Sequence, residues 1–171
     1  MNIPVIDTTF LVDFFFFFLN TPSPTGFTER AVAFTEQALG VCPEVQSQRT
    51  RKGALLVTFP GQKSDAPRGL TAHIDTLGAM VKEVKSNGRL KLTKIGGYAW
   101  NTVEGEGVRV FTRKNGVVRG SLLLAKSSSH VHGGVVNDAK RDDEAMEVRL
   151  DVVTNSADET QALGIGVGDF V

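Results

Sequence analysis

His73-Ile-Asp75, at the end of the apolar run Leu70–Ile74, is the spacing in this sequence best suited to chemistry. On an extended strand, residues two apart point to the same side, so the Asp75 carboxylate can sit beside the His73 imidazole. A carboxylate on one ring nitrogen fixes the tautomer and leaves the other nitrogen free to hold a metal ion. In open α/β sheets, ligand sites lie beyond the carboxyl ends of strands, where this pair falls. One histidine and one aspartate do not complete a zinc site, which takes three or four protein ligands. The alternative is a histidine with a purely structural role.

His130-Val-His132 is the second candidate, because two histidines at strand spacing can chelate zinc. Ser127 to Ser129 before it and Gly133-Gly134 after it make its surroundings a polar loop, which favours ordinary loop histidines. The run Asp138-Ala-Lys-Arg-Asp-Asp-Glu144 brings three acids together. Its alternating signs fit a solvated, self-paired loop better than a cation site. Gly105, Gly107, Gly164, Gly166 and Gly168 form no phosphate loop, since none follows a strand and opens a helix. Cys42 has no basic residue or histidine close in sequence to activate its thiol, so a nucleophilic role is unsupported.

The elements that must position these residues change character along the chain. Phe10–Leu19 reads as a helix, with Asp7, Thr8 or Thr9 as its N-cap. Its five consecutive phenylalanines, Phe14 to Phe18, make it apolar on every side. Such a helix is buried all round, covered by a partner, or prone to aggregation. Residues 20–26 form a turn with two prolines and a closing glycine, and a second helix runs from about Thr28 to Leu39, stopped by Gly40. Ala54–Phe59 and Leu70–Ile74 are short continuous apolar runs, the pattern of strands covered on both faces. Beyond Gly78 the spacing predicts strands over Ala79–Val84, Arg89–Ile95, Val108–Arg113, Val117–Leu124 and Glu147–Val153. Asn87-Gly88 and Asn115-Gly116 predict type I′ hairpin turns, and Ser156 with Glu159 a capping box for one short helix stopped by Gly164.

Composition bounds the function classes. The 171 residues are 41% hydrophobic and 22% charged, and such a length buries roughly 70% of its unfolded surface without disulfides. Nineteen basic and nineteen acidic residues give no net charge, which removes the usual electrostatic case for nucleic acid or an anionic membrane. Locally the balance is uneven. Residues 1–48 carry five acids against one base, and residues 49–68 five bases against one acid, so the two segments can neutralise each other. The bland reading of the basic stretch is a solvated loop or strand edge. A single cysteine, no membrane-length apolar run and no secretory signal are expected of a soluble cytoplasmic protein.

The order of these pieces carries a resemblance. A helix, the turn Pro22-Ser-Pro-Thr-Gly26, a second helix and Thr71-Ala-His-Ile-Asp-Thr-Leu-Gly78 come first. Lys94-Ile-Gly-Gly97, Val103-Glu-Gly-Glu106 and Leu163-Gly-Ile-Gly-Val-Gly-Asp169 follow. Together they resemble the N-terminal part of the dinuclear metallo-aminopeptidases that include glutamyl and tetrahedral aminopeptidases, some of them named endoglucanases. The resemblance implies an α/β fold: a partial zinc-aminopeptidase-like α/β layer over residues 1–76, then a β-rich insert over 77–165, a small β-barrel or PDZ-like unit. Residues 166–171 would begin the return to the catalytic domain, and the insert would serve homo-oligomer assembly.

The same resemblance implies His73 as a ligand of one of two divalent metal ions, zinc or cobalt, and Asp75 as the catalytic-site carboxylate orienting it. A bridging aspartate, a glutamate general base beside a glutamate ligand, a further acidic ligand and a last histidine are expected after the insert. The whole enzyme would remove N-terminal residues from peptide substrates, and this fragment is expected to be inactive by itself. The alternative is a non-catalytic self-assembly or peptide-binding β module. A third reading is a small metal-binding protein using His130 and His132.

Overall fold

The computed structural model describes residues 5–63, 65–114 and 116–171, which divide into two compact units, one up to Thr76 and one over Leu77–Val171. Helix α1 spans Thr8–Leu19 because Asp7 caps it, its carboxylate accepting from the Phe10 N–H at 3.0 Å. Asn20 and Thr21 close the other end, their side chains donating to the carbonyls of Phe16 and Phe17. Phe14 and Phe18, one turn apart, face helix α2 (Glu29–Leu39), with ring centroids 5.3 and 6.1 Å from Phe34. Phe15, Phe16 and Phe17 are exposed, and no residue of α1 is fully buried. Of the three outcomes expected for this run, burial all round is therefore not what forms. A helix can turn only one stripe of a five-residue aromatic run toward its neighbour.

Strands β1 (Gln46–Arg49) and β2 (Leu55–Thr58) form an antiparallel hairpin. Arg49 reaches back to Glu29 and Glu36 of α2, so the acidic and basic segments do meet here. Two expectations fail in this unit. Leu70–Ile74 forms no strand, and Leu70 is fully exposed. Among the described residues nothing forms a ladder with this run; its only pairing is a parallel bridge from Pro24 to Thr76 just beyond it. An apolar run becomes a strand only where a neighbour accepts its hydrogen bonds. β2 is likewise half-exposed rather than covered on both faces.

The second unit is an antiparallel five-stranded sheet in the order β3-β4-β7-β6-β5. Its strands are β3 Gly78–Val84, β4 Leu90–Ile95, β5 Gly107–Thr112, β6 Gly116–Leu124 and β7 Met146–Leu150. Period-two alternation sends Leu90 and Leu92, Leu122 and Leu124, and Met146 and Val148 into one core. The sheet curls until its two edges share a segment. Ala79 and Val171 exchange backbone hydrogen bonds, Val81 does so with Gly168 and Asp169, and Phe111 donates to the Phe170 carbonyl. Phe170 thus bridges β3 and β5, and the buried Asp169 accepts from the Gly166 and Arg113 amides.

The Asn87-Gly88 turn is not type I′. That type needs positive φ at both central residues, but Gly88 has φ 82° while no described non-glycine residue has positive φ. The Gly88 N–H bonds the Lys85 carbonyl and Lys85 N–H bonds the Arg89 carbonyl, a three-residue loop in which the glycine makes a bulge. The other expected turn falls on Asn115, outside the described residues. Short helices α3 (Ser129–His132) and α4 (Val135–Asp138) lie between β6 and β7. Helix α5 (Ala157–Ala162) starts where Ser156 accepts from Glu159 and stops before Gly164, at φ 89°. Among the described residues no helix is long and apolar enough to cross a membrane.

Candidate functional site

His73 and Asp75 are held by the proline-rich turn, not by a strand. The Ser23 carbonyl accepts from the Thr76 N–H at 2.7 Å, and Pro24 bridges Thr76 in parallel, so residues 23–25 run beside the His-x-Asp segment. Ser23 is buried in that contact. Thr25, the next residue, donates its hydroxyl to Asp75 Oδ2 at 2.5 Å. Asp75 Oδ1 then lies 3.0 Å from His73 Nδ1, and the Asp75 carbonyl oxygen 3.1 Å from the same nitrogen. Both of these partners are acceptors, so Nδ1 carries a proton, and in the neutral ring Nε2 presents its lone pair. The His73 ring is 86% exposed and opens to solvent. The Thr25 hydroxyl first, and His73 second, hold the Asp75 carboxyl below the usual carboxylate range, against a smaller upward push from desolvation.

Asp75 therefore sets which nitrogen of His73 is bare. In Asp75→Ala, long-range proton–nitrogen NMR at mildly alkaline pH is expected to show His73 shifting from the Nδ1–H form toward the Nε2–H form. Thr25→Val is expected to move it the same way by less. A spectrum unchanged in Asp75→Ala would show that the carboxylate does not orient the ring.

The remaining sequence candidates go elsewhere. His130 and His132 sit in α3, where residues two apart point to opposite sides, so the strand-spaced chelate does not form. The charged run around residues 138–144 is used structurally, and mostly across elements rather than within itself. Arg141 pairs with Glu104, Glu144 with Lys91, and Asp143 accepts from Trp100 Nε1 at 2.6 Å. Asp142 caps the amides of Glu144 and Ala145, both at 3.0 Å. Cys42 is free and exposed. Thr25 is the site residue that sequence reasoning missed; its one signal was its place in the Pro22–Gly26 turn, and nothing local tied that turn to residue 75.

Among the described residues no three His, Cys, Asp or Glu side chains stand close enough to hold a metal ion. The pair supplies one nitrogen donor, short of the three or four protein ligands zinc takes, so a complete metal centre does not fit these residues.

Solved structures share this fold. A TET aminopeptidase from the marine sediment archaeon Thaumarchaeota archaeon SCGC AB-539-E09 superposes with a TM-score of 0.76 at 22% identity, over 93% of this chain and 43% of that one. The TET1 peptidase of Pyrococcus horikoshii, described as able to assemble into a tetrahedron or a large octahedral shell, superposes with a TM-score of 0.67 at 20% identity, over 94% of this chain and 45% of that one. In sequence, YhfE of Bacillus subtilis (strain 168), which carries the name of an aminopeptidase, is 43% identical over 153 residues. That match takes in 90% of this chain and 44% of the relative, so the chain spans less than half the relative's length. Residues 53–171, which hold His73, Asp75 and the whole β-rich unit, match the model of one family, and with the Bacillus relative they show that the chain belongs to the M42 glutamyl aminopeptidases.

Proposed function

We propose that this chain forms part of a dinuclear metallo-aminopeptidase, with His73 Nε2 as one metal ligand and Asp75 as the carboxylate that orients it. The observation that carries the reading is the engaged Nδ1 and open Nε2 of an exposed imidazole, within the segment that matches the family. A metal pair, with its further ligands supplied from elsewhere, would offer water activation and polarisation of the scissile carbonyl of a peptide's first bond, and His73 would hold one of the two ions. The chain's own contribution is to hold one imidazole in one tautomer, through Thr25, Asp75 and the turn that carries Thr25. Since the described residues supply one donor, the 171 residues by themselves are expected not to hydrolyse peptides.

We read the β-rich unit as a small barrel that serves self-assembly. The Pyrococcus horikoshii peptidase, which assembles into shells, supports that part of the reading. The exposed free thiol of Cys42 suits a reducing, cytoplasmic setting. The test is an aminoacyl p-nitroanilide assay of the purified chain with zinc or cobalt, on a sample whose mass is measured by light scattering. Turnover at the level of the metal blank and a mass above one chain are expected. Robust turnover abolished by His73→Ala would overturn the inactivity, and a monomer would remove the assembly role.

A further inference from the structure

In the β-rich sheet Leu90 pairs with Val148, and continuing that antiparallel register by one residue, to the turn end of the ladder, would set Arg89 across from Arg149. Like charges facing each other across a ladder repel unless something compensates them. Arg89 is compensated, because it donates to Glu147, whose other oxygen is taken by Lys85. No such partner reaches Arg149 among the described residues, and the nearby Asp151 lies instead 3.9 Å from Arg119.

Both arginines line a cleft of about 500 Å³ between the Lys85–Arg89 turn and residues 151–155. Val152 and Val153 give it an apolar side, and among the described residues Asp151 is the one carboxylate on its lining. Its walls are fixed in advance. The buried Thr160 donates to the Gly88 carbonyl at 2.7 Å and lies 3.0 Å from the Thr154 hydroxyl. A Cβ added to Gly88 would come within 2.8 Å of that same hydroxyl, so turn and loop are in tight contact.

We propose that this cleft binds a small organic anion, its carboxylate or phosphate group clamped between the Arg89 and Arg149 guanidinium groups. Guanidinium forks match the geometry of either oxyanion, and binding it would give Arg149 the counter-charge that Glu147 already gives Arg89. The volume suits a ligand larger than an inorganic ion, with a short apolar body against Val152 and Val153. This inference stands apart from the peptidase reading, and neither depends on the other.

The test follows the amides of Gly88 and residues 151–155 by NMR in the full chain. Inorganic phosphate and glutarate are titrated separately, with sodium chloride at equal ionic strength as the control. At least one anion is expected to saturate, and Arg149→Met to weaken it by about tenfold, the size of one charge-assisted hydrogen bond. Arg149→Lys, which keeps the charge but loses the fork, is expected to fall between. Saturation by phosphate and not glutarate identifies a phosphate ester as the ligand class, and the reverse a carboxylate. No saturation by either anion, an equal response to chloride, or an unchanged midpoint in Arg149→Met overturns the site. Among the described residues Arg149 has no partner to lose, so its variants are expected to melt like the parent chain.

Discussion

Ending the β-rich unit at Ile165 instead of Val171 is expected to unfold it at ordinary temperature. Residues 168–171 occupy the gap between β3 and β5, where they bond Ala79, Val81 and Phe111 through the backbone. Each such bond nets about 1 kcal/mol, and removing the segment also takes Val171 away from the core it packs against. The loss is roughly 5 kcal/mol, comparable with the whole stability of a small domain, about 5–15 kcal/mol. It also bares two sheet edges at once, which invites edge-to-edge association. A boundary at 165, where the family resemblance implies that the insert ends, would cut all of these bonds. The measurement is urea unfolding of residues 77–171 against 77–165, read by the fluorescence of Trp100, the single and buried tryptophan. Equal midpoints for the two chains would show that the closing segment is dispensable.

Legibility followed how local each signal was. β3 to β7 were readable because alternation and glycine turns are local, and so were α1 and α5, whose caps Asp7 and Ser156 lie beside the residues they serve. β1 was invisible because Gln46-Ser-Gln-Arg49 has no apolar period; its hairpin partner and the Arg49 ion pairs specify it. Leu70–Ile74 misled because apolarity says a segment can be buried and not that a neighbour exists to pair with it. At Asn87-Gly88 the composition located the turn, while the register of Lys85 against Arg89 chose its type. The site was half readable: residues two apart told of the His73–Asp75 contact, but the Thr25–Asp75 bond spans fifty positions. Only folding of the proline turn against residue 76 creates it.

Replacing both Lys85 and Arg89 with methionine is expected to cost the β-rich unit about 3 kcal/mol at neutral pH, the scale for stripping a buried charge of its partners. Glu147 is buried on β7, and both of its oxygens are bonded by those two side chains. Methionine keeps the packing of their stems, so the loss falls on the carboxylate left behind. The pH dependence separates this cause from a general loosening. Burial pushes the Glu147 carboxyl up, but the hydrogen bonds and charges of Lys85 and Arg89 outweigh it and hold it below the usual glutamate range. A folded pKa below the unfolded one gives stability that is present above the ordinary glutamate value and lost as pH falls through the folded value. In the double variant burial acts unopposed and the folded pKa rises above the unfolded one. Acidification through that raised value should then recover stability, so the parent and the variant slope in opposite directions. Adding Glu147→Met to the pair should restore much of the loss, since removing every member of a buried ionic cluster is far cheaper than removing some. Denaturant midpoints of the three proteins between neutral and mildly acidic pH decide it. Parallel slopes, or a triple variant no more stable than the double, would show that the buried carboxylate is not what the two cations stabilise.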